Sequence, residues 1–80
     1  LIEQSKKRIE ESVADYVSGK YCFLRETVSV HALLRTDNTE EIEITELTVI
    51  LPDLSRAEDV RSDLYEMFLR KTIITVQKGE

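Results

Sequence analysis

The sequence predicts an α+β fold, in which two helices cover one face of a three-stranded mixed sheet in the order α-β-β-α-β. It contains two stretches with apolar residues at helical spacing and three stretches of alternating or β-branched residues, separated by turn and breaker residues. Its 80 residues, 41% hydrophobic and 34% charged, suit one small globular domain spanning residues 1–80. Because the chain begins with Leu1, we expect it to be a fragment of a longer chain.

The first helix is predicted at residues 2–18, and Gly19 is expected to end it because glycine tolerates the left-handed backbone of a helix C-terminus. Its apolar residues recur at helical spacing: Ile2, Ile9, Val13, Tyr16 and Val17. The first strand is predicted within residues 21–35, with an irregular lead-in at 21–26. Alternate residues there are apolar and predict a half-buried strand: Val28, Val30, Ala32 and Leu34.

The second strand forms an antiparallel hairpin with the first through a turn predicted at residues 36–40. Its apolar residues change phase once, near Glu46. We therefore predict a β-bulge there, which keeps both apolar sets on the core face: Ile42 and Ile44, then Leu47, Val49 and Leu51.

Pro52 ends the second strand, and Ser55 with Glu58 matches a capping box that begins the second helix, which is predicted to run to about Arg70. Residues 72–77 are predicted to form the third strand, which a helical crossover makes parallel to the second. We expect the third strand beside the first, in sheet order 2-1-3, as a ferredoxin-like or KH-like two-layer sandwich.

Charge and composition exclude several classes of function. The net charge is −5, and residues 37–63 carry nine acids against two arginines, so nucleic acid is not an expected partner. With two glycines the chain also lacks the Gly-x-x-Gly loop of KH domains, a P-loop and a dinucleotide-binding loop, and no small-molecule substrate is predicted. Apolar runs are short, as at Val49–Leu51, and fall far short of the roughly 20 residues that span a membrane.

The single cysteine, Cys22, rules out an internal disulfide and favours a reducing, cytoplasmic setting. Cys22 and His31 lie nine residues apart on one extended segment, roughly 30 Å at the rise of a strand. Their odd separation also places them on opposite faces. A nucleophilic Cys–His pair is therefore not expected, and we predict that the protein is not an enzyme.

Acidic residues near His31 suggest half of a metal site. If Leu34 lies opposite Ile42, His31 lies opposite Thr45 with Glu43 diagonal to it, within reach of long side chains. One imidazole and one carboxylate supply two of the four ligands of a zinc site, and a symmetry-related copy or an upstream residue could supply the rest. The alternatives are an ordinary surface histidine and a charged hairpin that discourages aggregation.

In the same register Leu33 and Ile73 point away from the helices, and Tyr21 is expected to join them. An uncovered sheet face that carries aliphatic residues predicts a homodimer interface. Scattered exposed apolar residues are the alternative interpretation.

Three local strings resemble the cytosolic C-terminal domain of cation diffusion facilitator (cation efflux) transporters. They are Val30-His31 leading to Leu34-Arg35, Leu51-Pro52-Asp53-Leu54-Ser55 before the second helix, and Thr72-Ile73-Ile74-Thr75-Val76 near the end. The resemblance covers about residues 5–78. It implies a small, dimeric, regulatory cytosolic domain that binds a divalent metal (zinc, iron or manganese) at its dimer interface and couples it to the protein's own transmembrane domain.

The resemblance carries over only His31 as a metal ligand, whereas Leu47 and Gln77 stand where the family often has histidine. A family member with a reduced or altered metal site is therefore the alternative to a full metal sensor. Together with the hairpin geometry, it predicts the ligands His31 and Glu43, with Cys22 and Glu46 as further candidates. Lys6-Lys7-Arg8 would then lie just inside the membrane. The competing hypothesis is a protein-interaction module that binds a basic partner through the acidic hairpin surface of Glu41, Glu43 and Glu46.

Overall fold

The structure is a computed structural model that describes residues 2–36 and 42–79. Its elements are α1 (Ile2–Tyr21), a short 3-10 helix (Arg25–Thr27), β1 (Ser29–Thr36), β2 (Ile42–Leu51), α2 (Ala57–Met67) and β3 (Ile73–Lys78). The α+β fold and the predicted order α-β-β-α-β are confirmed. The turn predicted at 36–40 lies outside the described residues, apart from its first residue.

The sheet order is β1-β2-β3, so the predicted order 2-1-3 is wrong. β2 is the central strand, antiparallel to β1 and parallel to β3. Two features favour this arrangement. β2 is the longest strand and carries the fully buried Leu47, Val49 and Leu51, and strands that follow one another in sequence usually lie side by side.

The predicted β-bulge is confirmed, and its extra residue is Thr45. Leu33 pairs with Glu46 and Leu34 pairs with Ile44, so Thr45 has no partner residue on β1. The Thr45 hydroxyl donates a hydrogen bond to the Leu33 carbonyl at 3.0 Å. The expected pairing of Leu34 with Ile42 is wrong, because Leu34 faces Ile44.

Both helices pack on one face of the sheet. Residues of α1 and α2 are buried together with alternate residues of all three strands, and the buried apolar residues are Val13, Ala14, Val17, Val28, Val30, Ala32, Leu47, Val49, Leu51, Val60, Leu64 and Ile74. The opposite side of the sheet, which no helix covers, is called the open face below. Within the described residues, neither helix has the length and apolar character needed to span a membrane.

Both helices end in a left-handed residue that is not glycine. α1 continues through Gly19 to Tyr21, so its predicted end is wrong, and Cys22 takes the positive φ of 61°. The Phe23 amide then donates to the Ser18 carbonyl at 3.0 Å, as in a Schellman motif. At the end of α2, Leu69 has φ 56° and the Arg70 amide donates to the Tyr65 carbonyl at 2.8 Å.

The predicted capping box at the start of α2 does not form. The Ser55 hydroxyl donates to Asp53 Oδ1 at 2.6 Å, and the Ser55 amide donates to the same oxygen at 3.0 Å. Arg56 occupies the N-cap position without a side-chain cap. The nearby carboxylate is a stronger acceptor and holds Ser55 in a turn that precedes the helix.

Candidate functional site

The open face carries two exposed aliphatic residues on either side of a carboxylate. Leu33 on β1 pairs with Glu46 on β2, and Glu46 pairs with Ile73 on β3, so the three form one row across the sheet. Leu33 is 55% exposed and Ile73 60% exposed. Both therefore lie on the uncovered side of the sheet, as the sequence predicts.

The next row of the open face contains His31, which pairs with Thr48, which in turn pairs with Thr75. Glu46 lies two residues before Thr48 on β2 and is therefore diagonal to His31, at a typical backbone separation of about 7–8 Å. His31 and Glu46 are both exposed, so the two predicted ligands share one face and lie within reach of each other.

The other two predicted ligands lie elsewhere. Glu43 pairs with Arg35 rather than lying diagonal to His31, and its carboxylate Oε2 is 3.3 Å from Arg35 Nη2. Cys22 is exposed at the end of α1, off the sheet. Among the described residues, no group of three or more His, Cys, Asp or Glu side chains is arranged to hold a metal ion.

An apolar surface continues from the open face around the end of the sheet where α2 terminates. A groove of about 560 Å³ there is lined partly by Ile42, Met67, Phe68, Leu69 and Ile73. Leu69 is 74% exposed and follows α2 in the left-handed conformation, which an L-residue adopts at a cost in strain. Ile73 belongs to both this groove and the open face, so the two surfaces are continuous.

Tyr21 lies in the helix layer, so its expected place beside Leu33 and Ile73 is wrong. Its hydroxyl donates to Asp63 Oδ2 at 2.9 Å and to the Asp59 carbonyl at 3.2 Å, both on α2. The Arg56 guanidinium stands over its ring, 5.0 Å from the centroid. Tyr21 therefore joins α1 to α2.

Asp63 is the centre of a polar cluster that the sequence interpretation missed. Its Oδ2 accepts from Lys20 Nζ at 2.6 Å, from the Tyr16 hydroxyl at 2.8 Å and from the Tyr21 hydroxyl. The hydrogen bond from Lys20, assisted by those from the tyrosines, lowers the pKa of Asp63 below its usual value although partial burial opposes this. Tyr16 and Lys20 have the i, i+4 spacing of neighbours on a helix, but nothing local to them indicates an acceptor 47 residues from Tyr16 and 43 from Lys20.

Comparison with protein-family models, with curated proteins and with solved structures finds no match for the chain.

Proposed function

We propose that this chain is a regulatory, dimerising domain of the kind found in the cytosolic part of divalent-cation efflux transporters, and that two copies associate through their open faces. The observation that carries the proposal is the row Leu33–Glu46–Ile73, in which two exposed aliphatic side chains flank one carboxylate on an uncovered sheet face. Burying these side chains against a second copy removes apolar surface from water.

The arrangement of the row suits a contact between two sheets. Leu33 and Ile73 lie two strands apart, roughly 10 Å, with Glu46 between them on the central strand. In a two-fold interface the same patch faces itself, and a face with apolar edges around a polar centre satisfies that requirement. The groove beside Leu69 adds apolar surface at the margin.

The polar centre of this interface supplies a candidate metal site. One copy offers His31 and Glu46 as a diagonal pair, and a two-fold axis would bring two imidazoles and two carboxylates together. Four such ligands complete a tetrahedral zinc site, and iron or manganese accept the same ligand types. Glu43 would first have to leave Arg35, and Cys22 lies off the sheet, so we assign the metal to His31 and Glu46.

A site shared between two copies gives the domain a regulatory property. Metal that binds only when both halves are together stabilises the dimer by its own binding free energy. Dimerisation then depends on metal concentration. In the proposed setting the dimer transmits this change to the transmembrane domain of the same protein.

The test is the molecular mass measured by analytical ultracentrifugation, with and without zinc, on the wild type and on matched variants. Leu33→Asn should weaken the dimer about tenfold or more because it removes apolar area that the interface buries. Leu54→Asn is the control, since Leu54 is similarly exposed but precedes α2. His31→Ala and Glu46→Gln should abolish the effect of zinc on mass, and Glu26→Gln, an exposed acid in the 3-10 helix, should not.

A protein that stays monomeric at every zinc concentration would contradict the proposal. The interaction-module hypothesis would then be the better one, with Glu43 and Glu46 on a surface that binds a basic partner, while Glu41 lies outside the described residues. Zinc binding that persists in His31→Ala would contradict only the ligand assignment.

A further inference from the structure

The outer edge of β1 is covered by side chains of neighbouring elements. β1 has β2 on one side only, so the backbone groups on its other side face away from the sheet. Glu10 of α1 reaches this edge, where its Oε2 accepts from the Ala32 amide at 2.9 Å and from Lys6 Nζ at 2.7 Å. The Glu10 side chain is only 19% exposed, so its carboxylate is held in place.

A second contact covers the same edge nearer the start of β1. Arg25 Nη1 donates to the Val28 carbonyl at 3.1 Å, while Arg25 Nε donates to Asp15 Oδ1 at 2.6 Å. Backbone groups of a strand in an antiparallel pair alternate in direction, so the amides of Val30 and Leu34 point to the same side as that of Ala32. A cleft of about 290 Å³ lies between α1 and this edge.

At the opposite edge of the sheet, the side-chain hydrogen bond that covers a backbone amide is weaker. The Ile74 amide of β3 donates to the Tyr65 hydroxyl at 3.4 Å, a long contact to a neutral group. On β1 the acceptor is an ionised carboxylate at a shorter distance, and such bonds are about twice as strong as neutral ones. The stronger of these two hydrogen bonds covers β1, which is the longer of the two edge strands.

We propose that the outer edge of β1 is a second self-association surface and that Glu10 blocks it by accepting the hydrogen bond of the Ala32 amide. When the carboxylate leaves the Ala32 amide, β1 pairs antiparallel with β1 of a second copy, because the carboxylate and an incoming strand compete for the same donor. This surface uses the backbone edge of β1 rather than the open face, and it needs no metal.

Side-chain pairing favours a second copy as the occupant. Antiparallel pairing centred on Ala32 sets Val30 against Leu34 of the other copy, His31 against Leu33 and Ser29 against Arg35. No two like charges then lie opposite each other, and opposed apolar residues stabilise such pairs. Centring the pairing one residue later, on Leu33, would set His31 against Arg35 and is less favourable.

The test uses Glu10→Ala, with Glu11→Ala as the matched control, because Glu11 is an exposed acid one residue along the same helix. Glu10→Ala should self-associate about tenfold or more tightly than the wild type, as expected if one guarding hydrogen bond is lost. Hydrogen exchange of the Val30 and Leu34 amides, followed by NMR, should slow as the concentration of the Glu10→Ala variant rises. Glu10→Gln keeps an acceptor oxygen but loses the charge, so its self-association should lie between that of the wild type and that of Glu10→Ala.

Glu10→Leu is the second variant, since leucine keeps the helix propensity and the aliphatic contact but cannot accept a hydrogen bond. The proposal is wrong if the folded Ala or Leu variant keeps the mass of the wild type at every concentration. It is also wrong if the variant associates without slower exchange at Val30 and Leu34, because the contact then lies on another surface. Neither result bears on the open-face dimer, which Leu33→Asn tests.

Discussion

Removal of the Asp63 carboxylate should destabilise the fold by separating its two helices. In Asp63→Ala, the hydroxyls of Tyr16 and Tyr21 lose the acceptor that they share at 2.8 and 2.9 Å. Both tyrosines are half-buried and pack against the core. The substitution therefore breaks the principal polar link between α1 and α2 while leaving the apolar core intact.

The size of the effect follows from these two bonds. The net contribution of a hydrogen bond is about 0.5–1.5 kcal/mol, rising to about 1.5–3 kcal/mol when one partner is charged, and we take about 1 kcal/mol for each bond because the half-buried hydroxyls can turn to water once freed. The two bonds together then give a loss of about 2 kcal/mol. The exposed Lys20 is assigned no share. For a domain of this size the loss corresponds to a fall in Tm of roughly 10 °C.

The assay is urea and thermal unfolding followed by circular dichroism at pH 7, with Asp15→Ala as control. Asp15 also accepts from a basic side chain, at 2.6 Å, but it is largely exposed, so its loss should cost less than about 1 kcal/mol. The reasoning is refuted if Asp63→Ala loses no more unfolding free energy than Asp15→Ala.

The pH dependence provides an independent check. The pKa of Asp63 is lower in the folded chain than in the unfolded chain, chiefly through the hydrogen bond from Lys20. The contribution of the ionised Asp63 carboxylate to the free energy of unfolding is therefore fully present above the pKa of about 3.9 in the unfolded chain, and it is lost as the pH falls through the pKa in the folded chain. The stability difference between the wild type and Asp63→Asn should be constant from pH 7 to about 5 and shrink below about 4. A difference that grows on acidification would contradict this.

Two further substitutions test the packing and the backbone. Leu69→Gly should raise the free energy of unfolding by about 0.5–1 kcal/mol, because glycine relieves the strain of φ 56° and the lost side chain is exposed. Leu54 is also exposed but lacks a positive φ, so Leu54→Gly should not raise it. Equal effects of the two substitutions in urea unfolding would refute the argument. Leu47→Ala should cost about 3–4 kcal/mol in the same assay, since Leu47 is fully buried in the central strand, whereas the exposed Leu24→Ala should cost little.

The sequence predicts which residues of each strand face the core more reliably than it predicts which strands are neighbours. Alternation within β1 and β2 places Val30 and Val49 on the core face correctly, because the side-chain period of a strand depends only on its own backbone. Alternation holds no information about the neighbouring strand. The position of β3 beside β2 therefore depends on tertiary packing that no single segment displays.

The candidate site was predicted only in part, because alternation determines the face on which a residue lies but not the residue that it faces on the next strand. His31 and Leu33 are on the open face because their parity puts them there. Glu43 was assigned to His31 through a register in which Leu34 faced Ile42. Leu34 faces Ile44 instead and the bulge at Thr45 adds one more residue of shift, so Glu46 takes that diagonal position. The bond between Tyr16 and Asp63 joins two helices, and their separate patterns could not indicate it.

The central position of β2 also determines the order in which chain segments can come together at least entropic cost. Contacts between β1 and β2 close a short loop, since Leu33 and its partner Glu46 are 13 residues apart. Contacts between β2 and β3 close a loop about twice as long, since Leu47 and its partner Ile74 are 27 residues apart. Doubling a loop costs about 0.6 kcal/mol more. The hairpin is thus the less costly nucleus, and β3 docks on a surface that β2 already presents.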